Sequence, residues 1–120
     1  MKTIGIGVDI ENIERFNGLA IKRDSQFLNK IYTKDELKYC FSHKNPAPHL
    51  AARFAGKEAV IKAISKGFNK IISAKDVEIT NAPGGTPSAK ISHAPGRNLR
   101  VLISLSHCED KAIAFAIIQT

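Results

Sequence analysis

The 120-residue chain has no tryptophan, a single methionine, two cysteines and only 7% aromatic residues. That scarcity argues against a single-stranded nucleic-acid platform, which interleaves aromatic rings with basic side chains. Cys40 and Cys108 make neither a disulfide framework nor, with the histidines, a zinc-type spacing; a reducing cytoplasm is the simplest home for them. No apolar run approaches the roughly 20 residues that cross a bilayer. The short run Ile4 to Val8 is stopped by Asp9, so no secretory signal pattern is expected. There is no Walker A loop, no complete dinucleotide fingerprint and no Gly-x-Ser-x-Gly elbow.

What is present is a basic, well-mixed composition. Hydrophobic residues make up 43% and charged residues 24%, and 18 Lys+Arg against 11 Asp+Glu leave a formal charge of +7. This is the composition of a globular domain, and one domain spanning 1–120 is expected. The positive field suits a polyanion: nucleic acid, anionic lipid, a phosphorylated small molecule or an acidic protein.

Hydrophobic periodicity orders the chain into an α+β pattern. Thr3 to Ile10 reads as a buried strand, and Glu11 to Leu19 as a short helix with Ile13, Phe16 and Leu19 on one side and Arg15 on the other. Gln26 to Ile31 and Lys34 to Phe41 read as two further helices, the second opened by a Thr33/Glu36 capping box. The longest helix starts at Pro46 or Pro48 and runs to Lys66, with Gly67 as its C′ residue; it is apolar on several sides and is expected to be buried. Strands follow at Asp76 to Thr80, Pro87 to Ser92, Arg100 to His107 and Ala112 to Gln119. Turns at Asn81 to Thr86, Ala94 to Asn98 and Cys108 to Lys111 separate them. The expected fold is an N-terminal strand and helices followed by an antiparallel β-meander.

Four local features can carry chemistry, and each has a plainer reading. Asp9, in Gly5-Ile-Gly-Val-Asp9-Ile-Glu11, ends a glycine-flanked strand where a hard cation can reach it; it is otherwise a solvated strand end. Glu58 and Lys62 share a helix face at i, i+4 within an apolar helix, as a site or as a surface ion pair. Ser104-Leu-Ser106-His107 ends an apolar strand, and His107 there is a ligand contact or a hydrogen-bonded structural residue. Arg15, Lys22 and Arg23 form a basic set that would steer an acidic partner, or a solvated face. His43, His49 and His93 have no comparable surroundings in the sequence.

The combination of Gly7-x-Asp9 with Ile13 and Arg15, then Phe54-Ala-x-Lys57-Glu58-Ala59-x-x-Lys62-Ala63, then Ser104-x-Ser106-His107 before a final Ala-x-Ala strand, resembles the holo-acyl-carrier-protein synthase family of phosphopantetheinyl transferases over residues 3 to 119. The resemblance implies the 4′-phosphopantetheinyl transferase fold. It implies a cytoplasmic, Mg²⁺-dependent enzyme of fatty acid biosynthesis that moves the phosphopantetheine of coenzyme A to a serine of an acidic acyl carrier protein. The other product would be adenosine 3′,5′-bisphosphate. It also implies a homotrimer with active sites between subunits. By the same resemblance, Asp9 and Glu58 are metal ligands, and Lys62 lies near the leaving phosphate. Arg53, Lys57, Ser106 and His107 surround coenzyme A, and Arg15, with Lys22 and Arg23 nearby, meets the carrier protein.

The chain departs from the family pattern in three places. Ser65-Lys-Gly-Phe68 replaces a Gly-x-Gly, and Gly84-Gly-Thr-Pro87 lacks the lysine of a Gly-Lys-Pro turn. Glu11 stands where the small family has an apolar residue; it is a further magnesium ligand, direct or through water, or an acidic residue favouring the start of a helix. Two rival functions are a ribonuclease-H-like metal-dependent nuclease, which also opens with a strand Asp, and a basic nucleic-acid-binding module. The nuclease needs more converging carboxylates than are evident. The binding module needs aromatics on a basic sheet face, whereas Phe54 and Phe115 fall at core-like positions.

Overall fold

The computed structural model describes residues 1–65, 72–92 and 98–120. Its elements are β1 (Thr3–Asn12), a 3₁₀ turn (Ile13–Phe16), α1 (Ser25–Ile31), α2 (Lys34–Phe41), α3 (Ala47–Ser65), a second 3₁₀ turn (Ala74–Asp76), β2 (Val77–Asn81), β3 (Pro87–Ile91), β4 (Arg100–Cys108) and β5 (Lys111–Gln119). The expected Gly67 cap, Lys66 and most of the turn from Ala94 to Asn98 lie outside the described residues.

The α+β order and the antiparallel pairing after α3 are as expected; among the described residues those strands are divided between two sheets. β2 and β3 pair antiparallel as a separate two-stranded sheet, and β1 joins the other pair in the order β1-β5-β4. Two sequence expectations for the N-terminus are corrected. Asn12 continues the ladder with Lys111, so the helix expected from Glu11 shrinks to the four-residue 3₁₀ turn, which begins as Ile13 N–H donates to Asp110 O (2.8 Å).

The second correction concerns which face of β1 is buried. Gly5, Gly7, Asp9 and Glu11 alternate onto the side of α3, while Ile6, Val8 and Ile10 stand 53%, 52% and 58% exposed on the other. Glycine on one face of a strand lets a helix backbone approach closely. A Cβ at Gly7 would fall 2.0 Å from Ala59 O, and one at Gly5 would fall 1.9 Å from Ala63 O. The partner strand answers with small residues, since Ala112, Ala114 and Ala116 of β5 are buried against the same helix. β1 is therefore held against α3 by backbone proximity, and its large side chains are left outside. Phe115 also faces outward, against its expected core position, as do Ile113 and Leu102.

α3 is buried on most sides, as its composition predicts. Ala55, Ala59, Val60, Ala63 and Ile64 pack with Val77, Ile79 and Ile118 in one core. Leu50 and Ala51 pack with Phe16, Leu28, Tyr32 and Cys40 in a second. Each large aliphatic side chain so buried contributes about 1.5–3 kcal/mol. The Thr33/Glu36 capping box is present, with Glu36 N–H donating to Thr33 Oγ1 (3.3 Å) and Thr33 N–H to Glu36 Oε1 (2.8 Å).

Candidate active site

The close approach of β1 to α3 sets the first group of side chains. Lys62, in the last turns of α3, reaches across the Gly5–Gly7 face and donates to Val8 O (3.1 Å) and Asp9 Oδ1 (3.0 Å). The lysine side chain is 55% exposed and the aspartate 12%, so the ammonium can still meet a ligand. Beside Lys62 a cavity of about 400 Å³, lined also by Gly7, Ser65 and Phe115, opens on the exposed apolar face of the sheet.

Asp9 and Glu11 point the same way from one strand, two residues apart. Burial, then the hydrogen bond to Asp9 and its charge, push the Glu11 carboxyl up to about 7; Arg15 opposes the shift and Glu58 adds to it. Asp9 Oδ2 is buried and lacks a donor unless Glu11 carries a proton to give it. Crowded acids with an unsatisfied buried oxygen suit a positive charge between them. Among the described residues no three His, Cys, Asp or Glu side chains converge as a metal cage. A site of one or two carboxylates, completed by water and phosphate oxygens, fits Mg²⁺ better than Ca²⁺ or Zn²⁺.

Glu11 is not a helix-start residue, because β1 runs through it. Its Oε1 instead accepts from Arg15 Nη1 (2.7 Å), and the Arg15 guanidinium also lies over the rings of Phe16 (5.6 Å) and Phe54 (5.5 Å). Arg15 remains 56% exposed. Lys22 is exposed and makes no ion pair among the described residues, while Arg23 pairs with Asp24 (3.1 Å) and donates to Gly18 O.

The ladder places His107 at the same end of the sheet. Ala112 pairs with Glu11 on one side and His107 on the other, so all three lie in one row across the sheet. Ser106, one position earlier, is exposed. Burial, and then the charges of His43, Arg53 and His107, hold His49 below its ordinary pKa. His43 and His49 were not singled out in the sequence, yet their rings stack with centroids 3.6 Å apart beside Tyr39.

Arg53 and Lys57 leave α3 on a different side, toward α2 and β2. Arg53 is 3% exposed. It donates through Nη2 to Asn81 Oδ1 and lies 3.9 Å from the centroid of the Tyr39 ring. It lines a cleft of about 460 Å³ with Asp35, Tyr39, Asn81 and Gly85. Lys57 does not reach that cleft. Its side chain is 0% exposed and its Nζ sits 2.6 Å from Glu36 Oε1. It also donates to Ala74 O (2.9 Å) and Val77 O. With its donors satisfied by Glu36, Ala74 and Val77 inside the protein, Lys57 points away from the coenzyme contact that the resemblance implies. Glu36, Tyr39 and Asn81 were missed as companions of these residues. The available signal was Lys57 itself, a cation in the middle of a helix whose neighbouring turns are filled by Ala55, Gly56, Ala59 and Val60.

Residues 5–116 match the family model of the 4′-phosphopantetheinyl transferase superfamily. A holo-[acyl-carrier-protein] synthase of Thermodesulfovibrio yellowstonii is 48% identical over 114 residues, covering 95% of this chain and 96% of the relative. The crystal structure of the Bacillus anthracis holo-(acyl-carrier-protein) synthase in complex with CoA (3′,5′-ADP) superposes with a TM-score of 0.80 at 30% identity, covering 98% of this chain and 97% of that one. The Helicobacter pylori synthase in complex with coenzyme A superposes with a TM-score of 0.79 at 30% identity, covering 95% and 99%. On its own residues and on these likenesses, the chain belongs to the 4′-phosphopantetheinyl transferase superfamily.

Proposed function

We propose that the chain is a holo-acyl-carrier-protein synthase, which transfers 4′-phosphopantetheine from coenzyme A to a serine of an acidic acyl carrier protein in support of fatty acid biosynthesis. The observation that carries the reading is the grouping of Asp9, Glu11 and Lys62 where β1 meets α3, in a chain of this superfamily. Asp9 and Glu58 would hold Mg²⁺, with Glu11 binding it directly or through water; when bound, the ion would supply a Lewis acid and a template for the pyrophosphate.

The protein's own side chains supply the remaining work. Lys62, whose side chain is 55% exposed, neutralises or protonates the departing adenosine 3′,5′-bisphosphate. Glu58, directly or through water, accepts the proton of the attacking serine. Arg53, with spare guanidinium donors, meets a coenzyme phosphate in its cleft, since a planar guanidinium matches phosphate oxygens in pairs. Ser106 and His107 border the coenzyme at the end of β4. Arg15, Lys22 and Arg23 meet the acidic carrier, and the +7 charge steers both anionic substrates.

The apolar stripe of Ile6, Val8, Ile10, Ile113 and Phe115 is the surface that a second and third copy cover. The cavity beside Lys62 opens on that same face, so a homotrimer would place active sites between subunits. The cytoplasm suits two unpaired cysteines, and no described helix is long and apolar enough to cross a membrane.

Thermal unfolding separates this function from its rivals. Coenzyme A with Mg²⁺ should raise the melting temperature in proportion to the logarithm of its concentration, and RNA should leave it unchanged. Stabilisation by RNA alone would overturn the proposal.

A further inference from the structure

Two tiers of contact join the same three elements, α2, α3 and β2. In the inner tier one carboxylate holds all three: Glu36 of α2 pairs with Lys57 of α3 (2.6 Å) and accepts from Ile79 N–H of β2 (2.7 Å). This tier is sealed, with both charged side chains 0% exposed. The outer tier lies one turn along each helix and two residues along the strand. There Tyr39 follows Glu36 by three positions, Arg53 precedes Lys57 by four and Asn81 follows Ile79 by two. Arg53 lies against Tyr39 (3.9 Å) and donates to Asn81. Its Nε is buried without a partner, and the tier lines the cleft of about 460 Å³.

A buried ion pair is seldom more stabilising than apolar side chains of the same volume, because both charges lose their water. What it adds is direction. An apolar pair would fill the space but leave α3 free to slide or turn against β2, whereas the Glu36 carboxylate accepts the Lys57 ammonium and the Ile79 amide from fixed angles. A shift of α3 by a fraction of a turn would carry Arg53 off the Tyr39 ring and away from Asn81.

We propose that Glu36 and Lys57 are positioning residues that hold the Arg53 guanidinium in register for the phosphate of an anionic nucleotide, here coenzyme A. The inference rests on the reading that Arg53 binds the coenzyme. Both substrate-facing and sealed tiers are needed: the sealed one for geometry, the outer one for contact.

The test is the coenzyme A dependence of transfer in four proteins: wild type, Glu36→Met/Lys57→Met, Arg53→Met and the triple variant. The double variant should fold, and raise the coenzyme KM about tenfold with kcat changed by less than about twofold. In the Arg53→Met background the same pair of changes should add nothing to KM. A folded double variant with wild-type KM, or an effect that multiplies in full on Arg53→Met, overturns the positioning role. An Arg53→Met protein with wild-type KM sinks instead the coenzyme reading beneath it, and the proposal with it. If the Met/Met variant does not fold, Glu36→Gln/Lys57→Met, which keeps an acceptor for Ile79 N–H and buries no lone charge, takes its place with the same criteria.

Discussion

Lys62 and Asp9 are 53 residues apart in sequence, and their side chains meet at 3.0 Å because Gly5 and Gly7 let α3 rest on the β1 backbone. The pair is well hydrated on the lysine side, so it contributes little to folding, about 1 kcal/mol or less. Its importance is in placing a solvent-accessible cation beside the carboxylates. Lys62→Ala is expected to lower kcat by about 10²–10³-fold while leaving the urea midpoint almost unchanged. A variant that unfolds easily and retains its kcat would assign Lys62 to the fold instead.

Gly7 makes the opposite case. A methyl group there would sit 2.0 Å from Ala59 O and 2.9 Å from Ala63 N, both backbone atoms that cannot swing aside. Gly7→Ala should force β1 away from the helix and cost about 3 kcal/mol or more, read as a fall in the denaturant midpoint. Because Asp9 moves with β1, any residual folded protein should be nearly inactive.

The sealed Glu36–Lys57 pair predicts a strong dependence on which partner is removed. Lys57→Met alone leaves a buried carboxylate whose remaining partners are backbone amides, and should cost about 3–5 kcal/mol. Glu36→Met/Lys57→Met should recover most of that loss. Equal destabilisation by the single and the double variant, measured by urea unfolding, would show that the two charges do not depend on each other.

Acid should weaken the fold partly through His49. Its pKa is held below the ordinary 6.5, chiefly by burial and then by His43, Arg53 and His107. As pH falls through 6.5 the unfolded chain takes up a proton before the folded one does. The stability present above that pH is therefore lost below it. Denaturant titrations at about pH 7.5 and pH 5.5 should show a smaller acid loss in His49→Gln than in the wild type. Parallel losses would remove His49 from the account.

Features written locally in the chain were legible. The Thr33/Glu36 box, the prolines at the start of α3 and the Pro-Gly-Gly turn at 83–85 all act within a few residues, and each appears where expected. The side of β1 that is buried was not legible, because Gly-Ile-Gly-Val reads as a single apolar run until a helix is known to lie on the glycines. Glu11 to Leu19 misled through periodicity: Ile13 and Phe16 are buried as a helix would bury them, but a single 3₁₀ turn is enough. The motif lysines read alike in sequence and differ in space. Lys62 faces β1 at the surface, whereas Lys57, five residues earlier, faces the interior, where its partner Glu36 lies on another helix. Asp9 and Lys62 were legible as motif members, but not their direct contact, since that depends on the packing of β1 against α3.

The central claim is phosphopantetheine transfer at the Asp9–Glu58–Lys62 site, and intact-mass spectrometry of an apo acyl carrier protein tests it most directly. After incubation with the protein, coenzyme A and Mg²⁺, the carrier should gain one phosphopantetheine mass, and the gain should vanish with Glu58→Ala. If several apo carriers remain unmodified while a known transferase modifies each of them, the chain shares the fold of its superfamily but not the reaction.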